Sequence, residues 1–517
     1  MKLVTLIFIV FATLLSACSS SQSIPTPTIT ATSLPTNTPI PTPTATPVPT
    51  IDVDGIQIPD PKITNPELFD LKNPNSPIVQ FANAFGVKPE DVGTLIGQVK
   101  TGVDGKKIIF LVTGDLATTT DFNESGTPLL IAEQGKDGQW IWSQAWPVQL
   151  AEANGIRLEA PIDGTEYIDF AGKYFEKIAN QLLLTGEVDA SVVFQNFTAD
   201  DWRRVLNNWP AIKAQLDVGK VPQGFNYDWI NGNRAIDYAK SHGMTVRAQH
   251  LLWGGDVPDS IYNGGFTKDE VKLLAEFIVK IRVLEYNGIP DANDTNKDPS
   301  RVVNQWDLAD EWAATESFPH DKWPFWLTNL GFPNAISDVS HWVSEANPNA
   351  EQVLTEDGIL YLPHDSDVWK NNFMTLLKFV KDKNLPIRRV DIENNFTVYN
   401  PPKQQIEQQN LKTIIDMGFK VTSETTVVSG NPNAIWTYDP VRAPKVPRIE
   451  QANIYGDNLL SYLNLHTDQY GLGGISDATE WYRRAGFANA NAMILDDNYQ
   501  PTPAFYRILQ ILYNNLQ

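Results

Sequence analysis

The sequence predicts an α/β fold built on a (β/α)8 TIM barrel, preceded by a smaller β-rich region and a disordered linker rich in proline and threonine. From Ile156 onward, short apolar runs alternate with amphipathic helical stretches, the βαβα pattern of a parallel sheet. The alternation repeats eight times over about 360 residues, which fits a barrel with some long loops. No glycine-rich nucleotide-binding turn follows the first strand, which argues against a doubly wound sheet.

Composition limits the classes of function. The chain has 517 residues, of which 40 are basic and 61 acidic, and a formal net charge of −21. Hydrophobic residues make up 42% and charged residues 20%, a balance that excludes a wholly disordered chain and a multi-span membrane protein. The acidic excess argues against nucleic-acid binding, because phosphate contacts need a basic patch. We expect a monomer that binds no nucleic acid.

Residues 1–17 are typical of a bacterial lipoprotein signal peptide. Lys2 supplies the positive start, and the apolar run Leu3–Leu15 is too short to span a membrane. The sequence Leu15-Ser16-Ala17-Cys18 resembles a lipobox, in which cleavage leaves Cys18 at the new N-terminus with lipid on its sulfur. Cys18 is the single cysteine of the chain, which favours this interpretation over an ordinary signal peptide with an incidental cysteine. We therefore predict an extracytoplasmic protein, held at the cell surface or membrane by an N-terminal lipid anchor.

Two regions separate this anchor from the barrel. Residues 18–50 form the predicted linker, since Ser21–Thr50 contains eight prolines and ten threonines and no charge. Residues 51–155 favour short strands and turns, and we predict a β-rich N-terminal module. Its clustered Trp140, Trp142 and Trp146 would either stack on sugars or pack the module against the main domain, and we favour packing.

Residues 156–517 form the predicted barrel domain. Its eight expected strands are Ile156–Ile162, Ser191–Asn196, Thr245–Trp253, Val303–Ala309, Glu351–Glu356, Ile387–Glu393, Lys420–Thr425 and Gly471–Asp477. Helices expected between them include Tyr167–Leu184, Lys268–Tyr286, Val368–Lys383 and Gln404–Met417.

Two glutamates lie at the ends of predicted strands. Glu311 follows the fourth strand and Glu424 lies at the end of the seventh. In a TIM barrel the chemistry is carried by residues at the C-terminal ends of the strands. Paired carboxylates there suit glycoside hydrolysis, in which one acid protonates the leaving oxygen and the other carboxylate attacks the anomeric carbon. The alternative for either glutamate alone is a solvated loop carboxylate.

Several segments match the motifs of one known family, in the family's order. Phe225–Ile261 carries Arg247, Leu251, Trp253 and Pro258 at the positions of its third-strand motif. Further matches are Trp306–Glu311, Ala346–Ala350, Gly418–Val427, Gly474–Trp481 and Leu495–Ala504. In these segments the chain resembles glycoside hydrolase family 10, whose usual members are endo-1,4-β-xylanases.

The resemblance implies an acid/base role for Glu311 and a nucleophile role for Glu424. It also implies a β-linked polysaccharide or oligosaccharide as substrate, with xylan as the default, and no cofactor. It assigns candidate sugar-binding positions, among which Trp253 and Trp481 would stack on sugar rings. The full set of substrate-binding candidates is Arg204, Gln249, Trp253, Asp256, Asp310, Glu393, Asn395 and Trp481.

Many of these positions depart from the family pattern. Asp310 replaces the asparagine before the acid/base, which in the family holds the substrate's 2-hydroxyl, and Glu393 replaces a glutamine. Gln249 and Asn395 replace histidines, and Asp256 replaces a glutamine. Arg204 stands for a lysine in an early motif that is barely recognisable, and a glycine at 473 stands where the family has tryptophan.

These departures leave three interpretations open. The first is a retaining endo-β-1,4-glycosidase of the xylanase type. The second is a surface carbohydrate-binding lipoprotein with weak or lost hydrolase activity, and the third is a hydrolase of a non-xylan β-glycan. Because crowded carboxylates raise each other's pKa, we expect the acids to titrate as a cluster, with an activity optimum at acidic pH.

We expect no metal site from the sequence. The six histidines lack the spacing of metal ligands, and none pairs with a cysteine. The oxygen-rich stretch 291–298 lacks the central glycine and terminal glutamate of a calcium loop, so a polar surface loop is the expectation there.

Overall fold

A computed structural model describes most of the chain from residue 48 to the C-terminus. The described residues are 48–93, 95–114, 126–161, 166–169, 189–241, 243–291, 297–313, 322, 324–363, 365–399, 401–429, 448–477 and 491–517. Cys18, the predicted signal peptide and nearly all of the predicted linker lie outside these ranges, as does Trp481. Val48–Gln517 forms one compact unit.

The N-terminal part of this unit is rich in β-structure. A hairpin of β1 (Thr50–Val53) and β2 (Ile56–Pro59) turns at Asp54 and Gly55, whose positive φ angles of 53° and 84° suit a tight two-residue turn. An antiparallel four-stranded sheet follows in chain order. Its strands are β3 (Ile96–Thr101), β4 (Lys107–Val112), β5 (Pro128–Gln134) and β6 (Trp140–Gln144).

This region packs against the C-terminal helix Pro503–Asn515. Three aromatic pairs join them, with ring centroids 4.9–5.2 Å apart, and they are Phe81–Tyr506, Phe110–Tyr513 and Trp146–Phe505. The Trp142 side chain is buried, and its Nε1 donates to the carbonyl of Pro59 at 2.8 Å. These contacts support the interpretation that Trp142 and Trp146 serve packing.

Eight strands close into a barrel and confirm the predicted fold. They are β7 (Arg157–Pro161), β8 (Glu166–Asp169), β9 (Val246–Ala248), β10 (Gln305–Asp310), β11 (Glu351–Asp357), β12 (Ile387–Thr397), β13 (Lys420–Val428) and β14 (Gln469–Leu472). The strands follow one another around the ring in chain order, and β14 pairs with β7. Most of β13 is buried and β-branched, as expected for a strand covered by helices.

The second strand differs from the prediction. The sequence predicts this strand at Ser191–Asn196, but Ala190–Val193 is a short helix. The Asp189 carboxylate caps that helix by accepting from the Val192 backbone N–H at 2.9 Å, and a short buried apolar run suits either kind of element. The actual second strand, β8, pairs antiparallel with both β7 and β9, whereas the other barrel pairings are parallel.

The predicted helix Tyr167–Leu184 is wrong at its start, because β8 occupies residues 166–169, and its remainder lies outside the described residues. The other three predicted helices are confirmed to within a few residues, although Val368–Phe373 is a π-helical turn before the α-helix. The α-helices described are Pro61–Thr64, Pro77–Phe85, Pro147–Ala153, Ala190–Val193, Ala199–Asn207, Trp209–Leu216, Ile230–Ser241, Asp259–Tyr262, Lys268–Glu285, Phe325–Leu330, Asn334–Ala346, Met374–Asp382, Gln404–Asp416, Arg448–Asn464 and Pro503–Asn515.

The longest of these helices shows how local sequence sets a boundary. Lys268–Glu285 begins with a capping box, in which Thr267 Oγ1 accepts from the Glu270 N–H at 3.3 Å and the Glu270 carboxylate accepts from the Thr267 N–H at 2.7 Å.

Among the residues that the structure describes, no helix has the length and apolar character needed to cross a membrane.

Candidate active site

Glu311 lies directly after β10 and is nearly fully buried. Its backbone has a φ of 55°, in the left-handed region that non-glycine residues rarely adopt. Its carboxylate Oε2 accepts a hydrogen bond of 2.7 Å from Trp253 Nε1. A strained backbone and a directed hydrogen bond on one carboxylate are features often found at functional sites.

Glu424 lies within β13, and its carboxylate Oε2 accepts a hydrogen bond of 2.8 Å from Gln249 Nε2. Burial raises the pKa of Glu424 well above its ordinary value, and the negative charge of Glu159 adds to the effect. The hydrogen bond from Gln249 acts in the opposite direction, because an N–H donor favours the ionised carboxylate.

One short segment therefore contacts both glutamates. Gln249 and Trp253 belong to the stretch that leaves β9, which is four strands away from β13 in the eight-stranded ring. Strands four positions apart lie on opposite sides of such a barrel. The contact between Gln249 and Glu424 thus crosses the barrel, and it places the Glu424 carboxylate on the inner side.

A second group of ionisable side chains lies around His250. Its Nε2 is 3.1 Å from Asp310 Oδ2 and 3.9 Å from Glu393 Oε1, and its Nδ1 is 3.8 Å from Asp256 Oδ2. Burial lowers the pKa of His250 to about 3, although the charge of Asp189 opposes this effect. The imidazole is therefore neutral at physiological pH.

The acids of this group have raised pKa values. Burial raises the pKa of Asp310 well above its ordinary value, and the charges of Glu393 and Glu311 add to the effect. Burial likewise raises the pKa of Glu393, with further contributions from Asp357 and Glu311. Burial alone raises the pKa of Asp256 to about 7 against the opposing charge of an arginine. Burial is therefore the leading cause of the raised pKa values in this group, and neighbouring carboxylates add to it for Asp310 and Glu393.

Asn395 joins this group through Asp357. Asn395 Nδ2 donates to Asp357 Oδ1 at 3.2 Å, and burial still raises the pKa of Asp357 to about 7.

Local packing explains why the residue after β14 is a glycine. A Cβ on Gly473 would lie 2.0 Å from Thr426 Oγ1, so the neighbouring threonine already fills the space that a side chain would enter.

A buried ionic network lies in the barrel interior. The Arg247 guanidinium is within 2.8–2.9 Å of carboxylate oxygens of Glu159, Asp307 and Asp391, and all four side chains are almost fully buried. Burial raises the pKa of Asp307 to about 7, against the opposing charge of Arg247. These residues come from β7, β9, β10 and β12, so the network links four strands.

The structure brings most of the predicted site residues into one connected group. The members are Gln249, Trp253, Asp256, Asp310, Glu311, Glu393, Asn395 and Glu424. Arg204 does not join them through its described contacts, which are with Asp201, the carbonyl of Gly224 and the ring of Phe225. Trp481 lies outside the described residues.

Sequence reasoning missed His250, which lies in this group, and Arg247, which lies in the buried ionic network. The sequence spacing of His250 indicates no ligand role, and only the fold brings it to Asp310 and Glu393. The sequence motif includes Arg247 but does not indicate its role. Arg247 is a charged residue inside a predicted barrel strand, and this alone indicates buried partners of opposite charge, because a buried charge must be paired.

A TIM barrel with one glutamate after β10 and another in β13 is an arrangement that suits glycosidases acting with paired carboxylates. The sequence model of glycosyl hydrolase family 10 matches residues 193–511. The chain belongs to this family, and it is a glycoside hydrolase.

Related sequences and structures agree with this assignment. The chain is 23% identical over 299 residues to the beta-1,4-xylanase of Dictyoglomus thermophilum, covering 56% of this chain and 77% of that protein. It is 21% identical over 299 residues to endo-1,4-beta-xylanase B of Thermotoga neapolitana, covering 57% and 78%.

Solved structures show the same fold. Native xylanase 10B from Thermotoga maritima is 18% identical with a TM-score of 0.50, and the match covers 72% of this chain and 98% of that one. The endo-1,4-beta-xylanase XylE of Penicillium canescens is 16% identical with a TM-score of 0.51 and the same coverage.

Proposed function

We propose that the protein is a retaining endo-β-1,4-glycosidase that acts on plant-cell-wall-type polysaccharide, with xylan as its first candidate substrate. The observation that carries this proposal is the segment 249–253, which donates one hydrogen bond to Glu311 and one to Glu424. The names of the related proteins, which are xylanases, favour xylan.

The two glutamates would act in two steps. Glu311 would give its proton to the glycosidic oxygen while the Glu424 carboxylate attacks the anomeric carbon, so that the leaving sugar departs as an alcohol and a glycosyl-enzyme forms. Glu311, now ionised, would then take a proton from water, whose oxygen displaces Glu424. Trp253 and Gln249 would hold the two carboxylates in place through the hydrogen bonds described above.

The acids near Glu311 would bind the sugar next to the scissile bond. Asp310 and Glu393 have raised pKa values, so their neutral forms persist to higher pH than those of ordinary carboxyls. A neutral carboxylic acid can donate a hydrogen bond to a sugar hydroxyl, and an ionised one can only accept. Gln249, Asp256 and Asn395 would complete this subsite.

The same acids favour a second candidate function. Two carboxyl groups with raised pKa, those of Asp310 and Glu393, interact electrostatically with Glu311, which is an unusual setting for one member of a pair that must differ in protonation. A protein that binds a β-glycan with little or no turnover is therefore the alternative, and a hydrolase of a non-xylan β-glycan is a variant of the first proposal.

A substrate panel separates these possibilities. The wild type, Glu311→Gln and Glu424→Gln would be assayed on xylan, xylo-oligosaccharides and mixed-linkage β-glucan, with the partly exposed Glu345→Gln as a matched control. We expect internal cleavage by the wild type and the control, and a loss of at least about 100-fold in both site variants. Binding without turnover in all four proteins would support the second candidate and refute the first.

We further propose that the protein is anchored to a bacterial membrane through lipid on Cys18 and reaches its substrate along the linker of residues 18–50. The support is the lipobox-like sequence, the single cysteine and the proline- and threonine-rich composition. In a bacterial host, Cys18→Ala should move the protein from the membrane fraction to the soluble fraction. Unchanged membrane association of this variant would contradict the anchor.

A further inference from the structure

The group around His250 brings three possible metal ligands close together. One ligand atom each from His250, Asp310 and Glu393 lies within 4.8 Å of the other two. The imidazole nitrogen is 3.1 Å from one carboxylate oxygen and 3.9 Å from the other. Ligand atoms about 2.0–2.2 Å from a tetrahedral zinc ion are separated by about 3.3–3.6 Å, so small side-chain movements would suffice.

Two buried polar atoms of this group lack hydrogen-bond partners. His250 and Asp310 are 6% and 2% exposed, and neither His250 Nε2 nor Asp310 Oδ1 has a hydrogen-bond partner among the described residues. The short distance between His250 Nε2 and Asp310 Oδ2 therefore occurs without the alignment of a hydrogen bond. A cation between them would satisfy both groups, because each offers a lone pair.

A second acidic triad in the same chain provides a contrast. Asp217, Glu276 and Glu345 also place one carboxylate oxygen each within 4.8 Å of the others. The ammonium groups of Lys213 and Lys280 lie 2.6–3.2 Å from these oxygens and already balance their charge. In the described part of the chain, no lysine or arginine forms an ion pair with Asp310 or Glu393.

We propose that His250, Asp310 and Glu393 bind a divalent transition-metal ion, with zinc as the best fit. One imidazole nitrogen and two carboxylate oxygens suit zinc better than calcium, which prefers oxygen ligands only. Asp256 Oδ2 lies 3.8 Å from His250 Nδ1, beyond hydrogen-bond distance, and a small movement would let it accept from the Nδ1–H and orient the ring. Three protein ligands leave one tetrahedral position open, and the partial exposure of Glu393 gives an ion access. With zinc bound, Asp310 and Glu393 would be ionised and would hold the ion in place of the direct hydrogen bonds to a sugar hydroxyl proposed above, so the two modes are alternatives for this pair.

Direct binding measurements test this proposal without reference to glycosidase activity. The protein would be treated with EDTA, dialysed and titrated with zinc chloride by calorimetry, with calcium chloride as the comparison ion. We expect one zinc ion per chain and at least about tenfold weaker calcium binding. Cobalt substitution should give the intense visible absorption of a tetrahedral site.

The variants Asp310→Asn and Glu393→Gln each remove one ligand charge with little change in shape. Each should weaken zinc binding by at least about tenfold, since even the loss of an outer-shell partner has effects of that size. Glu345→Gln in the lysine-balanced triad is the matched control and should bind zinc like the wild type, and circular dichroism would show that all variants are folded. Absence of saturable zinc binding, tighter binding of calcium, or zinc affinity unchanged in both ligand variants would overturn the proposal.

Discussion

The hydrogen bond from Gln249 to Glu424 leads to a quantitative prediction about pH dependence. Gln249 Nε2 donates to the Glu424 carboxylate at 2.8 Å and favours its ionised form, which a nucleophile needs. Gln249→Leu keeps the approximate shape but removes the donor, so the already raised pKa of Glu424 should rise further. A hydrogen bond to a charged group contributes about 1.5–3 kcal/mol, and 1.36 kcal/mol corresponds to one pH unit. The acid limb of kcat/KM should therefore move upward by about one to two pH units.

The assay is kcat/KM against pH on an aryl xylo-oligosaccharide, measured for the wild type and Gln249→Leu. Gln352→Leu is the matched control, because Gln352 is a buried barrel glutamine whose Nε2 bonds to Ser340 and Ser344 instead of to a site carboxylate. The Gln352→Leu control should be less stable than the wild type, but the acid limb of its kcat/KM profile should lie at the same pH as in the wild type. An unchanged acid limb in Gln249→Leu, or one that moves to lower pH, would refute the reasoning.

Three further variants have expected outcomes. Trp253→Phe removes the 2.7 Å hydrogen bond to Glu311, and kcat measured on the same substrate should fall about 10- to 150-fold while the protein stays folded. Arg247→Met leaves three buried carboxylates without their cation and should lower the free energy of unfolding in urea by about 3–5 kcal/mol. Partial burial alone would raise the pKa of Asp468, but the hydrogen bond from Arg389 lowers it. The stability that this carboxylate contributes is therefore present above its ordinary pKa and is lost as pH falls through the lowered pKa. Asp468→Asn should therefore show a flatter loss of Tm on acidification, and an equally steep loss would contradict this.

The barrel was predictable because its signal is repeated along the chain. Seven of the eight predicted strands overlap strands of the barrel, since each apolar run had a helix and turn residues beside it. The second strand was not predictable in the same way. The run Ser191–Asn196 is short and apolar, and hydrophobicity alone does not separate a strand from one buried helical turn. The hydrogen bond from the Val192 N–H to the Asp189 carboxylate stabilises the helix.

The site was predictable where a motif fixed it and not where the fold assembled it. Glu311 and Glu424 stood out at strand ends, and the structure connects both to the segment 249–253. Their catalytic roles stay predictions. The contact between His250, Asp310 and Glu393 joins three separate strand regions, and their spacing in the sequence is unlike that of any local metal motif. The sequence does not reveal this contact, because the three residues come together only when the strands close into a ring.

The structure also changes the expected pH range. The sequence led to an acidic activity optimum, because crowded acids were expected to titrate together. Burial is the leading cause of the raised pKa values of Glu424, Asp310 and Glu393. The acid limb of the kcat/KM profile, set by ionisation of Glu424, then lies at higher pH than for an ordinary glutamate. An alkaline limb set by the other acids also moves to higher pH. We now expect an optimum nearer to neutral pH, which the kcat/KM profile of the wild type measures directly.

In the proposed mechanism, Glu424 forms a covalent bond to the sugar while Glu311 serves as acid and base. A 2-deoxy-2-fluoro β-glycoside with a good leaving group traps such an intermediate, because the fluorine slows its hydrolysis more than its formation. Mass spectrometry of the peptide digest should then show one added glycosyl group, on the peptide that carries Glu424. An adduct on another residue, or a product of inverted anomeric configuration by NMR, would contradict the mechanism.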